Sequence, residues 1–107
     1  METFAALADP TRRRIVELLA QREHGAGELA RRFDMTPPAV SQHLRILRDA
    51  GLVRVRPQAQ RRIYALAPEG LAELDAWLAR FRRFWSTRLD ALERELGEPD
   101  TTRRSTT

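Results

Sequence analysis

TPPAVSQHLRILRDAGLV, residues 36–53, decides the fold. Thr36 followed by Pro37 is a helix start: a hydroxyl that can accept from a first-turn N–H, then a ring where a missing N–H costs nothing. Gly51 is the matching stop, a residue that turns left-handed after the last helical turn without steric penalty. Between them, at about 100° per residue, Val40, Leu44 and Leu47 fall within roughly 60° of one another and form a stripe to be buried. The opposite side presents Pro38, Gln42, Arg45 and Asp49, with Ser41 and Arg48 on one flank. Beyond Gly51 the period changes from helical to two. Leu52-Val53-Arg54-Val55-Arg56 alternates apolar and basic, and Arg62-Ile63-Tyr64-Ala65-Leu66 is rich in strand formers. Residues 57–61 between them read as the turn of a hairpin.

Working outward, residues 2–8 read as a short apolar helix carrying Phe4 and Leu7. Asp9-Pro10 repeats the cap-and-proline start, and the helix it opens runs to about Gln21 with Ile15, Leu18 and Leu19 inward. Gly25-Ala26-Gly27 breaks that helix. A third helix covers about 26–33 with Leu29, Ala30 and Phe33 inward, and Asp34-Met35 turns the chain into the segment quoted above. On the other side Pro68 starts one long last helix, 69–96, of about 42 Å at ~1.5 Å per residue. The tail 97–107 holds no apolar residue and reads as disordered. The expected fold is mainly α with a small β-hairpin, in the order α-α-α-α-β-β-α, a winged helix-turn-helix plan forming one domain over residues 1–96.

Composition narrows the partner. The 107 residues suffice for one small core. No apolar run approaches the roughly 18–20 residues that span a bilayer, and the N-terminus lacks a signal-peptide pattern, which places the chain in the cytoplasm by default. The absence of cysteine excludes disulfides, zinc-thiolate clusters, thiol redox sensing and cysteine nucleophiles. All 19 basic residues are arginine, for a net charge of +4. Residues 28–62 carry eight of them against Glu28, Asp34 and Asp49, a net of +5, whereas residues 69–96 come to −1. The middle of the chain is therefore the candidate nucleic-acid face. No nucleophile–base pair, glycine-rich phosphate loop or metal cluster suggests an enzyme.

On that face Gln42 can bond adenine and Arg45 guanine along the edges open in the major groove. Thr36 and the N–H groups of the first turn suit a phosphate. Arg54, Arg56, Arg61 and Arg62 crowd the hairpin, where they can hold the DNA backbone or, alternatively, keep an exposed sheet edge from aggregating. His43 lies beside the buried stripe and is either a DNA contact or a structural histidine. His24, at a helix end, reads as a contact with the helix dipole. The last helix places Leu71, Leu74, Leu78, Phe81, Trp85, Leu89, Leu92 and Leu96 at spacings of three and four, widened by Trp77 and Phe84. So long an apolar stripe reads as a partner surface, with its first half, to about Leu78, as core.

The segments LADPTRRRIVELL (7–19), GELARRFDMTPPAVSQHLRILRDAGLVRVR (27–56) and RRIYALAPEGL (61–71) resemble the ArsR/SmtB family of bacterial transcriptional repressors, over roughly residues 4–75. The resemblance implies a sequence-specific regulator of double-stranded DNA with a palindromic operator. DNA contacts would come from Thr36, Pro38, Ala39, Ser41, Gln42, His43, Arg45 and Arg48 on the recognition helix and from the four hairpin arginines. It also implies a homodimer built from the first and last helices, through Phe4, Leu7, Leu74, Trp77, Leu78, Phe81, Phe84, Trp85, Leu89 and Leu92. Many relatives sense metals through cysteines in the third helix, or Asp, His and Glu on the last. This chain has no cysteine and no histidine after His43, so no metal site and no cofactor are expected. The competing readings are a winged-helix protein-interaction module and a non-specific architectural DNA binder.

Overall fold

The computed structural model describes residues 2–96. Along them run α1 (Glu2–Leu7), α2 (Pro10–Gln21), β1 (His24–Gly25), α3 (Ala26–Arg32), α4 (Pro37–Asp49), β2 (Val53–Gln58), β3 (Arg61–Leu66), α5 (Pro68–Ala79) and α6 (Arg82–Leu96). The chain divides into two compact units, one up to Asp75 and one from Ala76 on. The 97–107 tail lies outside the described residues.

In the first unit several helix boundaries have a local cause. The Asp9 carboxylate accepts from the N–H of Arg12 at 3.0 Å, capping α2, and that bond holds its pKa below the ordinary value. The ends of α3 and α4 share one device. The N–H of Met35 reaches the carbonyl of Ala30 and that of Asp34 reaches Arg31, and the N–H groups of Leu52 and Gly51 reach Leu47 and Arg48 in the same pattern. Both are Schellman closures, with Asp34 (φ 54°) and Gly51 (φ 77°) in the left-handed position. Pinned between them, α4 directs Val40, Leu44 and Leu47 into a core shared with Ile15, Leu29 and Leu52. Together, α2–α4 and the β2–β3 hairpin form the winged helix-turn-helix.

Glycine at position 70 is dictated by a close approach. Its N–H donates to the carbonyl of Gly51 at 2.8 Å, tying the start of α5 to the end of α4. A Cβ there would stand 2.7 Å from that carbonyl oxygen and 3.0 Å from Leu52 Cδ2. Alanine ordinarily improves a helix position over glycine by about 0.5–1 kcal/mol. Here the oxygen is backbone and cannot step aside, and overpacking at about 1–3 kcal/mol prevails. Gly70→Ala should therefore lower the urea midpoint; a raised midpoint would contradict the contact.

The structure corrects the sequence reading in four places. A third strand exists: the order is β1-β3-β2, all antiparallel, with His24 opposite Tyr64 and Gly25 opposite Ile63. His24 consequently sits in a strand and not at a helix dipole. It is 2% exposed, with Nδ1 3.0 Å from Glu28 Oε2 but not aligned for a hydrogen bond. The long last helix is two helices. After Trp77 the ladder tightens to i→i+3 bonds, from the N–H of Arg80 to Trp77 and of Phe81 to Leu78, and α6 restarts at Arg82. Finally, the first half of the apolar stripe is not core: Leu71 and Leu78 are exposed, Leu74 is half-buried, and α6 buries nothing.

Candidate nucleic-acid interface

Thr36 sets the start of α4. Its Oγ1 accepts from the N–H of Ala39 at 3.3 Å, while Pro37 and Pro38 contribute no N–H at all. The first turn therefore offers an anion the Thr36 hydroxyl proton, not the row of free amides expected above. From this start the 3.6-residue period carries Ser41, Gln42, Arg45 and Arg48 along the side away from the core, all exposed. Ala39 stays half-buried on the flank shared with His43.

The wing is divided by its own alternation. In the β2–β3 register Val53, Val55 and Pro57 stand opposite Leu66, Tyr64 and Arg62, whereas Arg54, Arg56 and Gln58 stand opposite Ala65, Ile63 and Arg61. The first set shares the face that packs Val53 and Tyr64 into the core, so Arg62 comes out beside α4. Pro38, Ser41, Gln42, Arg45, Arg48, Arg62 and Tyr64 line one groove of about 380 Å³. Gln42, Arg45, Arg48 and Arg62 have no side-chain partner among the described residues, leaving three guanidinium groups and one amide free in a single concavity.

The second face differs. Arg56 donates to Glu23 Oε1 at 2.6 Å and to Gln58 Oε1 at 2.8 Å, and the guanidinium of Arg61 lies against Gly25. Arg54 is exposed on that side. The structure thus gathers Arg62 with α4 and keeps Arg54, Arg56 and Arg61 off that groove. Beside these arginines, two residues escaped the sequence reading. Tyr64 lines the groove, and its place two residues after Arg62 in a strand was the available signal. Glu23 neutralises Arg56 across 33 positions, a pairing that no local pattern reveals.

His43 is half-buried, and its Nδ1 faces Arg12 Nη1 of α2 at 3.3 Å. At the other histidine, Arg22 donates to Glu28 Oε2 at 2.8 Å. That bond, helped by His24, holds the Glu28 carboxyl down to about 2 against the desolvation that opposes it. One imidazole and one carboxylate already held by a guanidinium do not fit a transition metal. No three potential ligands gather elsewhere among the described residues.

Of the residues expected in a dimer seam, Phe4, Trp77, Leu78, Phe81, Phe84, Leu89 and Leu92 are exposed. Trp85 and Leu74 are half-buried, and Leu7 packs against the core. The Trp77 and Phe81 rings lie 4.7 Å apart, and Arg88 covers the Phe84 ring. No helix among the described residues is long and apolar enough to cross a membrane.

Comparison with known proteins agrees with this geometry. The family described as bacterial regulatory proteins, arsR family, matches residues 9–55. The HTH-type transcriptional regulator Rv2034 of Mycobacterium tuberculosis is 55% identical over 78 residues, 73% of each chain. The transcriptional repressor SdpR of Bacillus subtilis is 35% identical over 73% of this chain and 87% of its own. Among solved structures, the homodimeric winged helix-turn-helix DNA-binding domain Mb0332 from Mycobacterium bovis superposes with a TM-score of 0.63 at 32% identity, covering 77% of this chain and 76% of that one.

Proposed function

This chain belongs to the arsR family of bacterial regulatory proteins, and from that premise we propose that it is a cytoplasmic, homodimeric repressor that reads a palindromic operator and does not sense metal. The observation that carries the reading is the groove between α4 and β3, where Gln42, Arg45, Arg48 and Arg62 converge without partners. Gln42 and Arg45 stand on the side of α4 farthest from the core, where a helix laid in the major groove meets base edges. Thr36, Pro38, Ala39 and Ser41 border that side, and Arg48 and Arg62 flank it as cations suited to the DNA backbone. Arg54, Arg56 and Arg61 extend the basic surface along the wing, with Arg56 free to bind only after leaving Glu23. Pairing would use the exposed side chains of α1 and, separately, those of α5 and α6. One domain over 1–96 with an appended tail suffices for this, and no catalytic activity is assigned.

The two parts should fail differently. Gln42→Ala or Arg45→Ala should each cost about 1–3 kcal/mol and relax preference at one base position. Arg62→Ala should weaken all sequences alike and lower the salt slope by about one. Binding titrations on single-base operator variants at several salt concentrations check both. A base preference that changed with Arg62 and not with Gln42 or Arg45 would reverse the roles.

A further inference from the structure

Arg12 is engaged on three sides. Its Nε donates to the carbonyl of Ala6 at 2.6 Å and its Nη2 to that of Ala5 at 3.4 Å, closing the C-terminal end of α1. Its Nη1 lies 3.3 Å from Nδ1 of His43, on α4. A guanidinium has donors only, so a hydrogen bond across this contact requires the imidazole nitrogen to accept. That leaves the ring proton of a neutral His43 on Nε2. This nitrogen has no partner among the described residues, on a side chain that is half-buried. His43 follows Gln42 on the helix, on the flank away from Ser41 and Arg48.

We propose that Arg12 is a positioning residue for DNA reading: by donating to Nδ1 it fixes His43 as the Nε2–H tautomer and presents that N–H as a hydrogen-bond donor to an acceptor on the operator. The assignment rests on the DNA-binding reading above. It also links α1 to the recognition helix, because the guanidinium that orients His43 is the one that closes α1. The alternatives left open by the sequence then combine, with one ring nitrogen structural and the other free to bind.

Long-range proton–nitrogen correlation spectra of the full chain at neutral pH report which ring nitrogen carries the proton. In the unmodified protein His43 should show Nε2–H, and Arg12→Ala should give a mixture of tautomers while leaving the His24 signals in place. In operator titrations Arg12→Ala and His43→Asn should each weaken binding about tenfold, and the double variant no further. His43→Asn keeps an acceptor where Nδ1 stands and lacks the distal donor. His43→Gln, which keeps a distal donor, should recover part of the loss. An Nδ1–H tautomer in the unmodified protein, a measurement that needs no variant, overturns the role of Arg12 alone. Additive losses in the double variant overturn it as well. The Nε2–H tautomer in a protein that selects no DNA sequence would instead overturn the DNA reading on which the assignment rests.

Discussion

Leu89→Glu should yield a chain that folds, sediments as a monomer and binds its operator about 10²–10⁴-fold more weakly. Leu89 is 58% exposed on α6, so in the single chain a carboxylate there meets water, and exposed substitutions of this kind change stability by about 0.5 kcal/mol or less. At an apolar seam between two copies the same carboxylate would be desolvated without a partner, at a cost of several kcal/mol. The neighbouring Phe84, 60% exposed, has the same property, so the result should not depend on one position. Affinity falls because two half-sites bound by a linked pair gain an effective concentration that a monomer lacks. Sedimentation of the variant beside the unmodified protein checks the first step and operator titration the second. A variant that stays dimeric would place the seam elsewhere.

Leu44→Ala should be among the most destabilising of the simple truncations on α4, at about 2–5 kcal/mol. Leu44 is fully buried, in the same cluster as Ile15, Leu29, Leu47 and Leu52, and α4 is fixed at both ends by Thr36 and the Gly51 closure. The helix therefore cannot slide to fill the void, which favours the upper part of that range. Against a total stability of about 5–15 kcal/mol, much of the population would unfold at mild denaturant. Urea unfolding measures the loss directly. The molecules that remain folded should keep the base preferences of the unmodified protein, because no side chain of the groove has changed. A shift in base preference without a shift in the urea midpoint would mean that Leu44 acts on the groove and not on the core.

The parts of the fold that were legible are those with dense local signals. Thr36-Pro37 and Gly51 bracket α4, which runs from Pro37 to Asp49, and period-two alternation marks β2 and β3. The parts that were not legible lack such signals. β1 has two residues, too few to show a period, and exists because β3 offers an edge to pair with. The break between α5 and α6 holds neither glycine nor proline, and the apolar spacing of three and four continues across it. In the groove, Gln42, Arg45 and Arg48 followed from the helical wheel. That Arg62 joins them while Arg56 turns to Glu23 depended on the hairpin register and on a residue 33 positions away. Arg12 was hidden for the same reason: its contact with His43 spans 31 positions and crosses from α2 to α4.

The central claim, sequence-specific reading of DNA by a symmetric pair, is tested most directly by selecting bound duplexes from a fully randomised pool with the full chain. The account predicts an enriched, two-fold-symmetric consensus whose half-sites lie about one helical turn, ~10 base pairs or 34 Å, apart or a multiple of that. Retention of the pool without enrichment of any sequence would contradict it.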